Sequence, residues 1–242
     1  MNANEEGKVA VIQGEFHLSS KDASQLVNRE LEEWDAILIE GREPVYSFEN
    51  SQIGFWYYAI GAIFTRTLVS LIHKGKTKLG IANNNPWESA DIDAYSRIDA
   101  SHREIWSFTN SKARLGLLLL ATGAALWSLL NPDFLKNWND VFFASYHSIL
   151  FFYPVLPMLI HIVVVVNPTN SQRRNAVMSD SIVNYSDKNG HEKMLILVGE
   201  MHREAIADQL ISKGWEIESI PTHSKIGRWI SKLYRKFGDW NE

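Results

Sequence analysis

The sequence predicts an α/β fold: a central, mostly parallel sheet built from a duplicated strand–GExH–helix–strand unit, interrupted by an inserted hydrophobic helical hairpin. Two observations carry this. Residues 8–17 read KVAVIQGEFH and residues 193–202 read KMLILVGEMH, so a lysine, an apolar run and Gly-Glu-apolar-His recur at one spacing. Between the copies stand two stretches free of Asp, Glu, Lys and Arg, at Leu115 to Leu130 and Val141 to Val166. The 242 residues are 45% hydrophobic and 21% charged, which excludes a disordered or collagen-like chain. A net charge of -4 excludes a globally basic nucleic-acid binder. With no cysteine, disulfide scaffolds, thiolate zinc sites, iron–sulfur clusters and cysteine nucleophiles drop out. The opening MNANEEGK has no apolar core, so no secretory signal peptide is expected.

Each element follows from local pattern. VAVI and LILV are short and rich in branched side chains, as buried strands are. A helix is expected over Lys21 to Trp34, capped by Ser19 or Ser20, and then a strand over Asp35 to Glu40 (DAILIE). Ile53 to Ile72 begins apolar and then meets Arg66 and His73; it reads as an amphipathic membrane-surface helix or a core helix, ahead of a third span. Val141 to Val166 is long enough to cross a bilayer, even with His147, Pro154, Pro157 and His161 inside it. Leu115 to Leu130 is short, and extends to Phe134 only across Pro132 and Asp133. Trp127, Trp138, Phe142, Phe143 and Tyr146 near the turn suit an interfacial belt. A buried hairpin in a soluble core is the alternative.

Arg103, Lys112 and Arg114 precede the first run and Arg173 and Arg174 follow the second, against Lys136 alone in the turn. A multi-pass membrane protein with both polar arms on the cytoplasmic side is therefore expected. The expected organisation is residues 1–110 and 169–242 as two parts of one α/β domain, with 111–168 as the transmembrane hairpin. The second unit continues with a helix from Arg203 to Lys213, closed by Gly214, and a strand over Trp215 to Ile220. In the tail, Ile226, Trp229, Ile230, Leu233 and Phe237 recur at helical spacing, with Lys225, Arg228, Lys232, Arg235 and Lys236 between them. This fits a helix on an anionic membrane surface, or one packed on the sheet.

A strand–helix–strand unit normally makes a parallel pair with a right-handed crossover, and its site lies beyond the carboxyl ends of the strands. The glycine of each GExH is expected to permit a sharp turn close to a ligand. If the units are neighbours, His17 and His202 face one cleft, with Glu40 at the same edge. Two imidazoles and a carboxylate suit Mn, Co or Zn. Hydrogen-bonded loop histidines, or an anion held by helix N–H groups, are the alternatives. There is no GxGxxG, P-loop, HExxH or GxSxG.

Four separated blocks carry a family resemblance. They are Gly14-Glu15-Phe16-His17; DAILIEGR, with Glu40 and Arg42; RRNAVM, with Arg174, Asn175 and Met178; and Gly199-Glu200-Met201-His202 followed by KGW. In this order the chain resembles the TraB/PrgY group, related to the Tiki proteases and more distantly to the erythromycin esterase and ChaN-like superfamily. The blocks cover roughly half of the chain. The family's D-R-x-I block has its nearest match in His102-Arg103-Glu104-Ile105, with Asp99 three residues earlier. The resemblance implies metal-dependent hydrolysis of a peptide, with His17 and His202 as ligands or proton-transfer groups and Glu40 as ligand or base. Arg42 and Arg174 would hold a carboxylate or oxyanion, or else form a buried salt bridge and a membrane anchor. Asn175 would supply a neighbouring hydrogen bond. Glu15 and Glu200 are extra to the family pattern and would serve as bases, ligands or helix caps. The same cleft in a non-catalytic peptide- or signal-binding protein, as in pheromone shutdown, is the runner-up. Membrane lipid is the other expected partner, with a homo-oligomer left open.

Overall fold

Five short strands form one all-parallel sheet in the computed structural model, which describes residues 7–15, 22, 31–42, 53–78, 92–130 and 147–238. The strands are β1 (Val9–Glu15), β2 (Ala36–Ile39), β3 (Asp93–Tyr95), β4 (Lys193–Gly199) and β5 (Glu216–Ile220). The helices are α1 (Ile53–Lys78), α2 (His102–Phe108), α3 (Ser111–Leu130), α4 (His147–Val166), α5 (Pro168–Asn189), α6 (Glu200–Ser212) and α7 (Lys225–Gly238). The α/β class is thus as expected. The chain divides into an α/β unit, Met1–Glu43, His73–Ser101 and Ser171–Glu242, and a helical unit, Pro44–Ile72 and His102–Asn170. The helical unit takes in 44–72 and 102–110, which the sequence grouped with the sheet.

In the α/β unit the three inner strands β1, β2 and β4 are buried on both faces, which is why they read as continuous apolar runs, while the edge strands β3 and β5 are largely exposed. Alternate residues supply two cores. Ala10, Ile12, Ala36, Leu38, Met194, Ile196 and Val198 pack with Met178 and Ile182 of α5 and Ile206, Ala207 and Leu210 of α6. Val11, Ile37, Leu195 and Leu197 face the other way, against Leu31, Trp34, Ile39, Ile92 and Ile220. Each fully buried aliphatic side chain contributes about 1.5–3 kcal/mol.

Strand order departs from the expected adjacent pairs. The sheet runs β3-β2-β4-β1-β5, so β4 separates β1 from β2 and β1 separates β4 from β5. The two connections therefore run in opposite directions across the sheet. Right-handed crossovers must then use opposite faces. The segment after β1 ends in a 3-10 turn, Leu31–Glu33, whose Leu31 joins the second core, while α6 covers the first. The interleaving brings the carboxyl ends of β1 and β4 side by side, with Glu15 opposite Gly199. The helix expected over Lys21 to Trp34 lies mostly outside the described residues.

Beyond α6, Gly214 adopts φ 86, its N–H bonds Ile211 O at 2.9 Å and the Trp215 N–H bonds Leu210 O at 3.1 Å. These two bonds close the helix as the glycine predicts, and Trp215 is buried in the first core.

In the helical unit, Phe55, Tyr58, Ala59, Ile105, Trp106, Ile160 and Val164 are buried, and Tyr58 meets the rings of His102, Trp106 and His161. Large apolar side chains stand on its surface: Ile63, Phe64, Leu68, Leu71, Leu119 and Val163 are all exposed. Helices form over most of both uncharged runs, while the turn at 131–146 lies outside the described residues. Among the described residues, one stretch is long and apolar enough to cross a membrane, Gly54–Ile72, with a shorter apolar helix at Val155–Val166. The expected crossing by the second uncharged run rests in part on residues 141–146, which lie outside the described residues. Arg66 interrupts the apolar pattern but not the helix, because it lies on an exposed face.

Candidate functional site

Beyond the carboxyl ends of β2, β3 and β4, the α/β unit gathers a buried polar cluster. Glu40 follows β2 directly, and its backbone N–H bonds Leu197 O of β4 at 2.8 Å. Pleat alternation continues past Leu38, so Glu40 falls on the α5 side of the sheet. Asp99 follows β3 and is tied to the β2 end by its N–H to Gly41 O at 3.2 Å. From α5 come Ser171, Arg174 and Asn175, on the helical stripe that continues through Met178 and Ile182 into the core. His202 comes from the first turn of α6.

Arg174 organises the charges. Its Nε and Nη2 bond the two oxygens of Asp99 at 3.0 and 2.8 Å, a bidentate fork, and Nη2 also bonds Glu40 Oε1 at 2.9 Å. Arg42 Nε bonds the second Asp99 oxygen, whose partner oxygen also accepts the Ala100 N–H at 2.8 Å. Glu40 Oε2 accepts the Gly199 N–H at 2.6 Å. Side-chain exposure is 1% for Arg174, 0% for Asp99 and 8% for Glu40, so these ions have little water and rely on one another. Two carboxylates face two guanidinium groups, and formal charge balances.

His202 sits against this cluster with 4% side-chain exposure. Its Nδ1 lies 2.5 Å from Asn175 Oδ1 and 3.5 Å from Ser171 Oγ. An amide oxygen only accepts, so this assignment puts the ring proton on Nδ1. Nε2 then carries a bare lone pair, 3.9 Å from Glu40 Oε1. Burial is the largest influence on the ring, and it lowers the pKa from 6.5 to about 4. Glu40 and Asp99 push the other way, while Arg174 and Arg42 act with burial. At neutral pH His202 is therefore an uncharged base.

The structure thus brings together Glu40, Arg42, Arg174, Asn175 and His202. Of the adjacent arginines, Arg173 is exposed and Arg174 is buried in the cluster, so only Arg173 is placed to serve as a surface anchor. His17 lies outside the described residues. Glu15, at the end of β1, alternates onto the sheet face opposite Ile12. Glu200 is engaged elsewhere: its carboxylate binds the Arg203 guanidinium at 3.0–3.2 Å and accepts the Thr222 N–H at 2.8 Å. A Cβ on Gly14 would come within 1.9 Å of Glu200 Oε2 and 3.0 Å of Arg203 Cδ. Neither motif glycine has a positive φ; Gly14 is small to make room for this ion pair.

Sequence reasoning did not assign Asp99 or Ser171 to the site. Asp99 stood three residues before the block taken as the family match, and that block starts α2 in the helical unit. Its signal was an acid set between Ile98 and Ala100, both buried. Ser171 precedes Arg174 and Asn175 by one helical turn, which the α5 pattern could have revealed.

As a metal centre the described donor set is short. His202 Nε2 and Glu40 Oε1 are two donors, and Arg174 already holds that oxygen. Among the described residues no group of three or more His, Cys, Asp or Glu could hold a metal ion. No family model matches the chain, and no curated protein or solved structure matches it.

Proposed function

We propose that the chain is a membrane-anchored hydrolase of the TraB/Tiki kind, acting on peptides at the Glu40–His202 cluster. The observation that carries this reading is the neutral imidazole of His202, held through Nδ1 and presenting a bare Nε2 to a carboxylate across 3.9 Å. That gap is too long for a direct hydrogen bond and suits a bridging water. His202 would take the proton of that water as it attacks a carbonyl. Arg174 holds Glu40 in place, and Arg42, the most exposed of these charges at 18%, is the group able to meet a substrate carboxylate or oxyanion. A Mn, Co or Zn ion needs a third ligand, and His17 is the residue that would supply it; the proton chemistry of His202 stands without one. The repeated GExH segments on neighbouring strands support a duplicated origin for the sheet.

The membrane part of the reading rests on the large apolar side chains exposed on the helical unit, which water would solvate poorly. Residues 111–168 would cross as a hairpin, with both polar arms on the cytoplasmic side. Full-length chain purified without chelator should cleave a peptide library, and His202→Ala should lower kcat/KM by about 10²–10⁴-fold. An unchanged rate in both His202→Ala and Glu40→Gln would sink the assignment. One bound metal per chain, lost in His17→Ala and His202→Ala, would add the ion.

A second reading is favoured by one observation. All four oxygens of Glu40 and Asp99 already accept hydrogen bonds from Arg174, Arg42, Gly199 N or Ala100 N. Such a satisfied cluster can hold a peptide or signal without turning it over. Peptide affinity with no hydrolysis, indifferent to chelator, would support it.

A further inference from the structure

The C-terminal helix α7 packs against the rest of the α/β unit with its least apolar side. Gly227 and Ser231, one turn apart, are buried, and Ser231 Oγ bonds the Glu200 carbonyl of α6 at 3.4 Å. The large apolar residues point the other way: Ile226 is 63% exposed, Trp229 62% and Ile230 36%. At helical spacing these lie on one stripe, with half-buried Leu233 continuing it. Lys225, Arg228, Lys232 and Lys236 are also exposed and occupy the adjoining stripe. The helix from Lys225 to Gly238 contains no acidic residue. Among the described side chains three faces are therefore sorted: small residues toward the protein, apolar residues outward, and cations beside them.

We infer that α7 is a docking helix for an anionic lipid surface, with Ile226, Trp229 and Ile230 entering the headgroup boundary and Lys225, Arg228, Lys232 and Lys236 contacting lipid phosphates or carboxylates. Charge decides the occupant. A second copy of the chain would lay one uninterrupted set of cations against another, which repels. An anionic membrane meets both stripes at once, because amphipathic helices bind through buried apolar area plus attraction to acidic lipid. Trp229 suits the boundary, since its ring is apolar and its indole N–H is polar. This inference is independent of the hydrolase reading, since it invokes no residue of the Glu40–His202 cluster. It gives the α/β unit its own contact with the membrane.

The chain has no cysteine, so one introduced thiol reports from one place. The test uses full-length Ile226→Cys, labelled with an environment-sensitive fluorophore, in detergent and in nanodiscs of phosphatidylcholine with or without phosphatidylserine. The label should become shielded from an aqueous quencher, with blue-shifted emission, only in the phosphatidylserine discs. High salt should reverse the change. Lys225→Glu with Lys232→Glu should weaken it about tenfold, the equivalent of about 1.4 kcal/mol. Shielding in detergent alone would overturn the inference in favour of a protein partner or a second copy. Equal exposure in all three settings, or equal shielding in both kinds of disc, would overturn it too. The salt titration needs no charge variant, so it decides the question even if the double substitution fails to fold.

Discussion

Two carboxylate–arginine clusters lie in the α/β unit, and they have different fates. One is Glu40, Asp99, Arg42 and Arg174 beside His202. The other is Glu200 and Arg203 with Thr222 and Asp22: Arg203 Nη1 donates to Ser219 Oγ at 2.5 Å, Thr222 Oγ1 to Asp22 Oδ2 at 2.6 Å and the His223 N–H to Asp22 Oδ1 at 2.8 Å. Glu200 and His202 are two residues apart on one helix, yet the carboxylate joins the second cluster and the imidazole the first. The second cluster ties α6 to the segment after β5. The first holds a neutral base facing a carboxylate across an open gap. A motif residue is thus assigned by the strand end it faces rather than by its spacing in the sequence.

The sharpest way to break this comparison is to remove Arg174. Arg174→Met leaves two buried acids with one guanidinium, Arg42 on Asp99, and should cost about 3–5 kcal/mol in denaturant unfolding. Adding Asp99→Asn should recover most of that. A loss below about 1 kcal/mol would mean that the cluster is as well solvated as a surface pair.

The next effect separates the clusters by pH. The pKa of His202 is lowered on folding, so the unfolded chain binds its proton more tightly and stability falls with acid. Between pH 6.5 and about 4 the wild type should lose about 3 kcal/mol from this residue. His202→Gln should flatten that decline, whereas Glu200→Gln should leave it in place. The acid limb of any hydrolysis should also lie near pH 4 rather than 6.5. Glu200→Gln itself should cost about 1–3 kcal/mol and leave kcat/KM unchanged, as a tie between elements would. Smallest in stability is Asn175→Ala, at about 1 kcal/mol. Turnover should fall further than stability there, because His202 loses the partner that fixes its tautomer.

Much of the sheet was legible. VAVI, AILI and LILV announce buried parallel strands because both faces of each need apolar residues, and Gly214 announces a helix end because its backbone needs φ above zero. Strand order was not legible, since nothing local to β1 says that β4 lies between it and β2. The end of the DAILIE strand pointed to Glu40, the family resemblance to Arg42, Arg174 and Asn175, and the recurrence of GExH to His202. That recurrence also suggested equal roles for Glu15 and Glu200, which the pleat and the Arg203 partnership separate. Asp99 escaped because it stands in a connection, three residues ahead of a block that starts a helix of the other unit. Ile53 to Ile72 carries Arg66 inside an otherwise apolar pattern, and the helix holds that side chain on an exposed face.

The interleaved sheet bears on synthesis as well as on stability. Val9 pairs with Lys193, so β1 must wait for a partner synthesised 184 residues later. Until then its backbone N–H and C=O groups are open to pairing with another chain, a recognised route to aggregation. The membrane insertion proposed for the helical segments would keep nascent chains apart during that wait. Chains stopped before Lys193 should yield no protease-resistant sheet, and a separately made 171–242 fragment should restore one.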